Sequence, residues 1–459
     1  MKVFIFGVGE KYRRFKHLFE NMDILGYIDN NPQKWGTELE GHKIFSPSEV
    51  LEADFDYIFL TSIYYNDMRK QLLNLGIEAD KIIDKEHRGF LKSLNQMEEY
   101  IYSDNKKTEN QGRNVLLFSH ALDLTGAPVV FCRLAKVLKK YGYNVTVVAE
   151  KNSKVKHGDL LYQLLQDHIS VIMVSNYEFI DIAEIAADYD FFWVSTVLLS
   201  NVVACLLKLN KKVYWWLHET DDIYEQSRNS LVFPESANLY VLTGGWMAAE
   251  SFEKYSGQKA FKNLMYGIPA NMVEMKRRND NNKVKFGVIA AYSIRKGQDI
   301  LLEVIKKNID KWFDLAEFYF VGPFPREKSE KYETFMNIYF LGEMNPKKLS
   351  EFYEEIDVLI APSLFDPMPV VVTEAMQHNK VCLVSNKVGQ SKYITPMVDG
   401  MICNAGNAID LEKNINWLIE NKHKLSEMGK KSYLIYENGF SMESFENNVL
   451  DLLGVAVDE

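Results

Sequence analysis

The chain is poor in cysteine. Cys132, Cys205, Cys382 and Cys403 are its only four among 459 residues, and none lies at a paired spacing. That speaks against a disulfide framework and against a Cys-based zinc site, and it points to reduced thiols in a cytoplasmic protein. No apolar run approaches the ~18–20 residues needed to span a bilayer. The N-terminal Lys2-Val-Phe-Ile-Phe-Gly7 is too short for a signal-peptide core and lacks a cleavage site. Positive charge is also in deficit: 53 Lys and Arg face 63 Asp and Glu, a net charge of −10. A general nucleic-acid binder would carry the opposite balance. What remains, 47% hydrophobic and 25% charged residues, describes an ordinary globular protein. Its length suits about three domains.

The first segment, about residues 1–100, alternates strands and helices. Val3–Phe6 reads as a strand, Gly7-Val-Gly9 as a tight turn, Lys11–Met22 as a helix, and Ile24–Ile28 and Tyr57–Leu60 as further strands. Such alternation predicts a parallel sheet with right-handed crossovers, a Rossmann-like module. Gly7 and Gly9, with Asp29 twenty residues beyond Gly9, make part of a dinucleotide fingerprint, although Tyr12 holds its third glycine position. They mark a candidate second nucleotide site. The alternative is a module used for packing or assembly. A polar stretch, residues 101–113, reads as a linker.

Strand–loop–helix order then repeats through Asn114–Ser119, Val145–Val148, Val171–Val174, Phe191–Val194 and Val213–Leu217, and a helix is expected over Val129–Tyr141. A second run opens at Val284–Ile289 and continues through Phe318–Val321, Tyr339–Leu341, Val358–Ala361 and Val381–Val384. The expected domains are 114–277 and 278–440, with a last helix over Met442–Leu453. Asp188-Tyr-Asp190 has the look of a metal-dependent Asp-x-Asp site. Asp54-Phe-Asp56 shows the same pattern, also just before an apolar strand, so both read as turn acids that start strands. No metal site is expected.

The most informative stretch is Asp366-Pro-Met-Pro-Val-Val-Val-Thr-Glu374, with two carboxylates eight positions apart. The apolar Val358–Ala361 ends at Pro-Ser, and a helix follows the Pro-Met-Pro turn, starting near Pro369 or Val370. The free N–H groups of its first turn and its dipole suit a diphosphate. Glu374, one turn in, is placed to accept hydrogen bonds from sugar hydroxyls. This is nucleotide-sugar chemistry.

The segment resembles the motif of retaining glycosyltransferases of family four, in which two Glu are separated by seven residues; here Asp366 replaces the first. The resemblance runs from about Asn114 to about Leu453. It takes in Thr125-Gly-Ala-Pro128, Trp216-Leu-His-Glu219, Tyr266-Gly-Ile-Pro269, Arg295-Lys-Gly-Gln-Asp299 and Gly389. The first module is similar to small domains fused to bacterial polysaccharide-synthesis enzymes.

The resemblance implies a GT-B fold, two facing Rossmann-like domains, behind a small Rossmann-like N-terminal domain. It implies sugar transfer from a UDP- or GDP-linked donor to an acceptor hydroxyl with retention, and no required metal or cofactor. Gly126 and Ala127 would line the donor diphosphate and the acceptor. His218 would face the donor sugar, with Glu219 orienting its ring. Arg295, Lys296 and the helix start at Pro369, Val370 and Val371 would hold the diphosphate. Asp366 would lie near the sugar hydroxyls and Glu374 on the ribose. Similar enzymes often carry an Arg five positions before this Lys, where this chain has Ala291. The implied partners are a nucleotide-sugar and a glycan or lipid-linked acceptor. Lys136, Lys139 and Lys140 offer a face for peripheral contact with the inner side of the plasma membrane. A nucleotide-sugar epimerase or hydrolase, and a non-catalytic nucleotide-binding assembly protein, are the alternatives.

Overall fold

The computed structural model describes residues 2–9, 12, 19, 22–62, 64–84, 100–102, 113–150, 158–174, 176–177, 180–270, 283–332 and 334–455. The helix expected over Lys11–Met22 and the linker lie largely outside them. The chain forms two compact units, one of Met1–Trp215 with Glu225–Leu239, the other of Trp216–Tyr224 with Tyr240–Glu459.

The first unit opens with a six-stranded sheet. Its strands are β1 (Lys2–Phe6), β2 (Asp23–Ile28), β3 (Glu38–Leu39), β4 (His42–Phe45), β5 (Tyr57–Leu60) and β6 (Ile82–Ile83), in the order β3-β4-β2-β1-β5-β6. All pairings are parallel except β3 with β4. Both faces are apolar. Val3, Ile5, Tyr12 and Phe19 fill one side, while Phe4, Phe6, Met68 and Leu72 fill the other, the last two from helix Tyr65–Asn74. Burial on both sides is why these strands read as continuous apolar runs instead of alternating.

The same unit holds β7 (Tyr100–Tyr102), β8 (Asn114–Ser119), β9 (Asn144–Glu150), β10 (Ser170–Val174) and β11 (Phe191–Ser195). Strands β11, β8, β9 and β10 pair in parallel in that order, and β7 closes the edge antiparallel to β10. Residues 101 and 102, expected in the linker, thus belong to a sheet edge. Helix Gly126–Lys140 begins three residues before the expected Val129, because Pro128 sits in its first turn, where a missing N–H costs nothing. The chain passes into the second unit within β12 (Lys212–Leu217).

In the second unit β13 (Leu239–Thr243) pairs with β14 (Lys262–Asn263). A six-stranded parallel sheet follows, built of β15 (Val284–Ile289), β16 (Ala316–Val321), β17 (Ile338–Gly342), β18 (Val358–Ala361), β19 (Val381–Ser385) and β20 (Gly400–Cys403), in the order β17-β16-β15-β18-β19-β20. Phe286, Phe318, Trp312 and Leu301 anchor its core. Helix Met442–Leu453 packs by Phe445 on Trp216, with ring centroids 5.7 Å apart and planes 21° off parallel. Met442 and Phe445 also crowd Gly267, where a Cβ would lie 2.8 Å from each.

One device recurs in all three sheets. The acid that precedes a strand accepts an N–H at the start of its parallel neighbour, from the first or second residue, and donates its own N–H to that residue's carbonyl. Asp56 does this to Lys2 (2.7 and 2.9 Å), Asp190 to Asn114 (2.7 and 2.9 Å) and Asp357 to Lys285 (3.0 and 2.8 Å). That N–H has no ladder partner in its strand pair, and the carboxylate supplies one. Asp190 is therefore a strand-starting acid, while Asp188 contributes its main-chain carbonyl to Asn114 Nδ2 at 3.1 Å. Replacing Asp190 by Ala is expected to cost about 1–3 kcal/mol in a urea titration, while Asp188→Ala stays within about 0.5 kcal/mol.

Candidate functional site

The candidate site is built on the second unit, where loops from the carboxyl ends of β15, β18 and β19 meet. Its shape depends on backbone contacts that only glycine permits. Gly297, at φ +69°, presses on Pro362, and a Cβ there would sit 2.2 Å from the Pro362 carbonyl oxygen. Leu364 donates its N–H to the Arg295 carbonyl (2.8 Å), stapling the loop after β18 to the loop after β15. On the other side Gly389 donates to the Asp366 carbonyl (2.9 Å). A Cβ at Gly389 would fall 1.7 Å from the carbonyl oxygen of Pro367.

Those staples bring Arg295 and Lys296 onto Asp366. The Lys296 Nζ lies 2.5 Å from Asp366 Oδ2, and Arg295 Nη1 lies 3.5 Å from Oδ1 while donating to the Phe365 carbonyl at 2.9 Å. Asp366 is only 6% exposed. A carboxylate buried that deeply needs such pairing, since an isolated charge would be strongly disfavoured. Two cations expected on a diphosphate and an acid expected on a sugar are thus partners of one another.

Helix Val370–Gln377 follows. Pro369 is its N-cap residue, and no side chain caps it. The N–H groups of Val370 and Val371 therefore stay available, while Val372 donates to the Pro369 carbonyl at 3.2 Å, and the dipole makes that end a seat for an anion. Gln390, fully buried, braces the turn from behind. Its Nε2 donates to the Pro369 carbonyl (2.8 Å) and to Thr373 Oγ1 (3.0 Å), and Tyr266 OH lies 3.1 Å from the same Thr373 oxygen.

Glu374 is held by a residue that the sequence did not single out. Tyr353, on helix Pro346–Glu355, donates its hydroxyl to Glu374 Oε2 at 2.8 Å and is itself 2% exposed. Burial, and then the neighbouring Glu374 charge, hold that phenol well above its ordinary value, so it acts only as a donor. Its ring stacks on His378 (5.0 Å, 20°), whose Nδ1 lies 2.6 Å from Glu354 Oε1. Nothing in the local pattern separates Tyr353 and Glu354 from any amphipathic helix.

His218 ends β12, half-buried, 4.6 Å from the ring of Trp216. A Cβ on Gly244 would come 2.6 Å from its Nδ1, so glycine there makes room for the imidazole. The next residue, Gly245 (φ +154°), faces Met368 with a would-be Cβ 2.6 Å from Cε, and Trp246 Nε1 donates to the Gly389 carbonyl at 2.9 Å. Through these three residues His218 joins the Pro367-Met368-Pro369 turn within one unit. Glu219 accepts the main-chain N–H of His218 at 3.1 Å.

The remaining candidates lie in the first unit. Gly126 and Ala127 open helix Gly126–Lys140. A Cβ at Gly126 would meet nothing within 4 Å, so the fold itself does not demand glycine there. Asp29, expected on a ribose, has both carboxylate oxygens engaged, with the Asn31 N–H (2.8 Å) and with Lys34 (2.8 Å). Gly7 does take a left-handed φ of +101°, whereas Gly9 sits in open space. Tyr12, in the third glycine position, is buried with its hydroxyl 2.6 Å from that of Tyr27. Lys136 pairs with Asp167 at 2.9 Å. All four cysteines are free, and burial pushes the thiols of Cys132, Cys382 and Cys403 up to about 12. Among the described residues no group of three His, Cys, Asp or Glu is placed to hold a metal ion, and no helix is long and apolar enough to cross a membrane.

Comparison with known proteins divides the chain into three. Residues 273–434 match the family described as "Glycosyl transferases group 1", residues 111–259 match "Glycosyl-transferase family 4", and residues 1–83 match "C2185-like, N-terminal". Two of its segments are thus domains of glycosyltransferase families. An uncharacterized glycosyltransferase of Haemophilus influenzae is 24% identical over 335 residues, 68% of this chain and 92% of that protein. Protein CapJ of Staphylococcus aureus is 27% identical over 146 residues, 30% of this chain; a 41.2 kDa protein of the Klebsiella pneumoniae cps region is 27% identical over 139 residues, 29% of this chain. The chain spans 36% and 37% of the length of those two. Among solved structures, Anabaena HepE in complex with UDP matches with a TM-score of 0.61 at 17% identity, covering 74% of this chain and 99% of HepE. The lipopolysaccharide outer core galactosyltransferase WaaB matches at 0.60 and 12%, covering 74% and 99%. At these identities the likeness is one of fold, and the fold is GT-B with an additional small N-terminal domain.

The buttress behind Glu374 carries its own pH dependence. Burial pushes the Glu354 carboxyl up, but the His378 hydrogen bond and the Lys380 charge outweigh it and leave Glu354 below its ordinary value. Its contribution to stability is therefore complete above pH 4.5 and is lost as pH falls through the lowered value. Glu354→Gln is expected to destabilise the protein by about 1–2 kcal/mol at pH 7. In denaturant titrations against pH, the gap to wild type should close toward pH 3.

Proposed function

We propose that the protein transfers a sugar from a nucleoside diphosphate-sugar to an acceptor hydroxyl, with retention of anomeric configuration, in the assembly of a bacterial surface polysaccharide. The observation that carries this reading is the placement of Lys296 and Arg295 on the buried Asp366, within one turn of an uncapped helix N-terminus. Two fixed cations and free N–H groups suit the charge that develops on a departing nucleoside diphosphate. Catalysis on this reading is electrostatic and positional.

On this reading each residue has a role. Asp366 keeps both cations aligned before the donor arrives and shares them with the diphosphate afterwards. Its carboxylate, one methylene shorter than Glu, meets the sugar hydroxyls from further back, which bears on which sugar fits. Glu374, fixed by Tyr353, accepts from the nucleotide ribose. His218, given room by Gly244, hydrogen-bonds the sugar. The leaving phosphate accepts the proton of the incoming hydroxyl. No metal is assigned a part. The HepE structures in complex with UDP, with UDP-glucose and with UDP and glucose favour a UDP-linked donor. The cps-region and CapJ relatives favour a capsule-type product.

Calorimetric titration with UDP, GDP and dTDP, followed by their sugars, tests the donor. One nucleotide should bind, and Glu374→Ala should weaken it about tenfold or more, a loss of ~1.4 kcal/mol. Binding indifferent to Glu374 would move the nucleotide elsewhere. Turnover that needs no acceptor would make the protein a hydrolase or epimerase, and binding with no turnover under any acceptor would make it an assembly protein. Tyr353→Phe removes one hydroxyl and no packing. It should raise the donor KM about fivefold with kcat little changed, since the lost interaction of ~1 kcal/mol serves ribose binding. A 2′-deoxy donor should bind wild type and Tyr353→Phe equally, and a persisting fivefold gap would make Tyr353 merely structural.

A further inference from the structure

A groove of about 620 Å³, within the size range of small-molecule sites, opens on the N-terminal sheet domain beside helix Tyr65–Asn74. Trp35, Asn30, Gln71, Asn74, Ser46 and Ser48 are among its lining residues. Neither Gly7 nor Gly9 is, so this is not the dinucleotide turn. Trp35 is 41% exposed, unusual for so large an apolar ring, yet it is not loose. Its Nε1 donates to the Asp29 carbonyl at 2.6 Å, which fixes the indole in place on the groove wall. The Asn30 and Gln71 amides bridge the groove and pair reciprocally, each donating to the other at 3.0 Å. That cyclic pair uses one N–H and one lone pair of each amide and leaves a second donor and a second lone pair on both. The Ser46 and Ser48 hydroxyls stand 3.2 Å apart on the same wall.

The charge of the groove argues against a phosphate. Lys70 and Asp67 line it with opposite sign, and the helix contributes its carboxyl-terminal turn, whose carbonyls carry partial negative charge. A neutral ligand rich in hydroxyls meets all these features. The C–H face of a pyranose ring packs on a fixed indole, and vicinal hydroxyls, each donor and acceptor, suit paired amides and serines. We propose that this groove is a carbohydrate-binding subsite, taking one or two neutral sugar units of a glycan. It lies in a different domain from Glu374 and does not depend on the donor reading.

The test is saturation-transfer NMR and calorimetry on the full-length protein with maltose, cellobiose, lactose and N,N′-diacetylchitobiose. At least one should bind, and both Trp35→Ala and Gln71→Ala should weaken it about tenfold or more, equivalent to ~1.4 kcal/mol. Gln71→Ala, at a half-buried helical position, guards against a Trp35 variant that simply loosens the domain. Glu374→Ala should leave the binding unchanged, and saturating UDP should not displace the sugar. Silence from every disaccharide, binding indifferent to both groove variants, or displacement by UDP would each overturn the proposal.

Discussion

The candidate site of this molecule depends on two places where backbone touches backbone without a side chain between. Gly297 against Pro362 and Gly389 against Pro367 leave gaps that a single methyl group would close. Packed interiors do not yield by an ångström, so an alanine at either position would push one loop off its neighbour. Because Lys296 and Arg295 ride on the first loop and Asp366 on the second, the electrostatics of the site follow from those contacts. Charge is placed here by close packing, before any charged group meets another.

Given that placement, the pairing of two cations with Asp366 has a physical reason beyond attraction. The carboxylate is nearly dry, and it would be costly without them. The cations are held without being consumed, since Arg295 is half exposed and also leans on the Phe365 carbonyl. An arriving diphosphate would find them already oriented, so less ordering is needed on binding. The same economy appears at Glu374, whose rotamer is set from behind by Tyr353 and, through His378 and Glu354, by a neighbouring helix. In both cases a flexible side chain is made rigid by an interaction on the face turned away from the ligand.

Much of the fold was readable because parallel strands buried on both faces announce themselves as short apolar runs. Tyr57–Leu60, Val284–Ile289 and Val358–Ala361 were bounded to the residue, as was helix Met442–Leu453. Strands such as Leu239–Thr243 and Gly400–Cys403 escaped, the former carrying a half-buried Leu and Tyr and the latter opening on glycine. The Pro-Met-Pro turn and the Arg-Lys-Gly of the proposed site stood out by their unusual local composition. Tyr353, Glu354, His378 and Gly244 did not, because their roles come from partners 21 to 26 positions away along the chain, and no local pattern encodes those. The Arg295–Asp366 and Lys296–Asp366 pairs were likewise hidden. Each residue looked like a ligand contact in isolation, and only the fold shows that they meet.

The Asp-x-Asp segments make the limit of local reading concrete. An acid two positions after another, just before an apolar strand, is compatible with metal binding and with starting a strand. What separates them is where the second carboxylate goes. In this chain it goes, three times over, to a main-chain N–H at the start of the neighbouring central strand, and Asp357 does so with Glu355, not an Asp, two positions before it. The pairing is common to all three. It marks the same point in each of the three sheets, where the chain must start two parallel strands side by side and one N–H would otherwise lack a partner. A residue type repeated at equivalent points of repeated architecture is better explained by what the architecture requires than by a chemistry that only one of the domains would need.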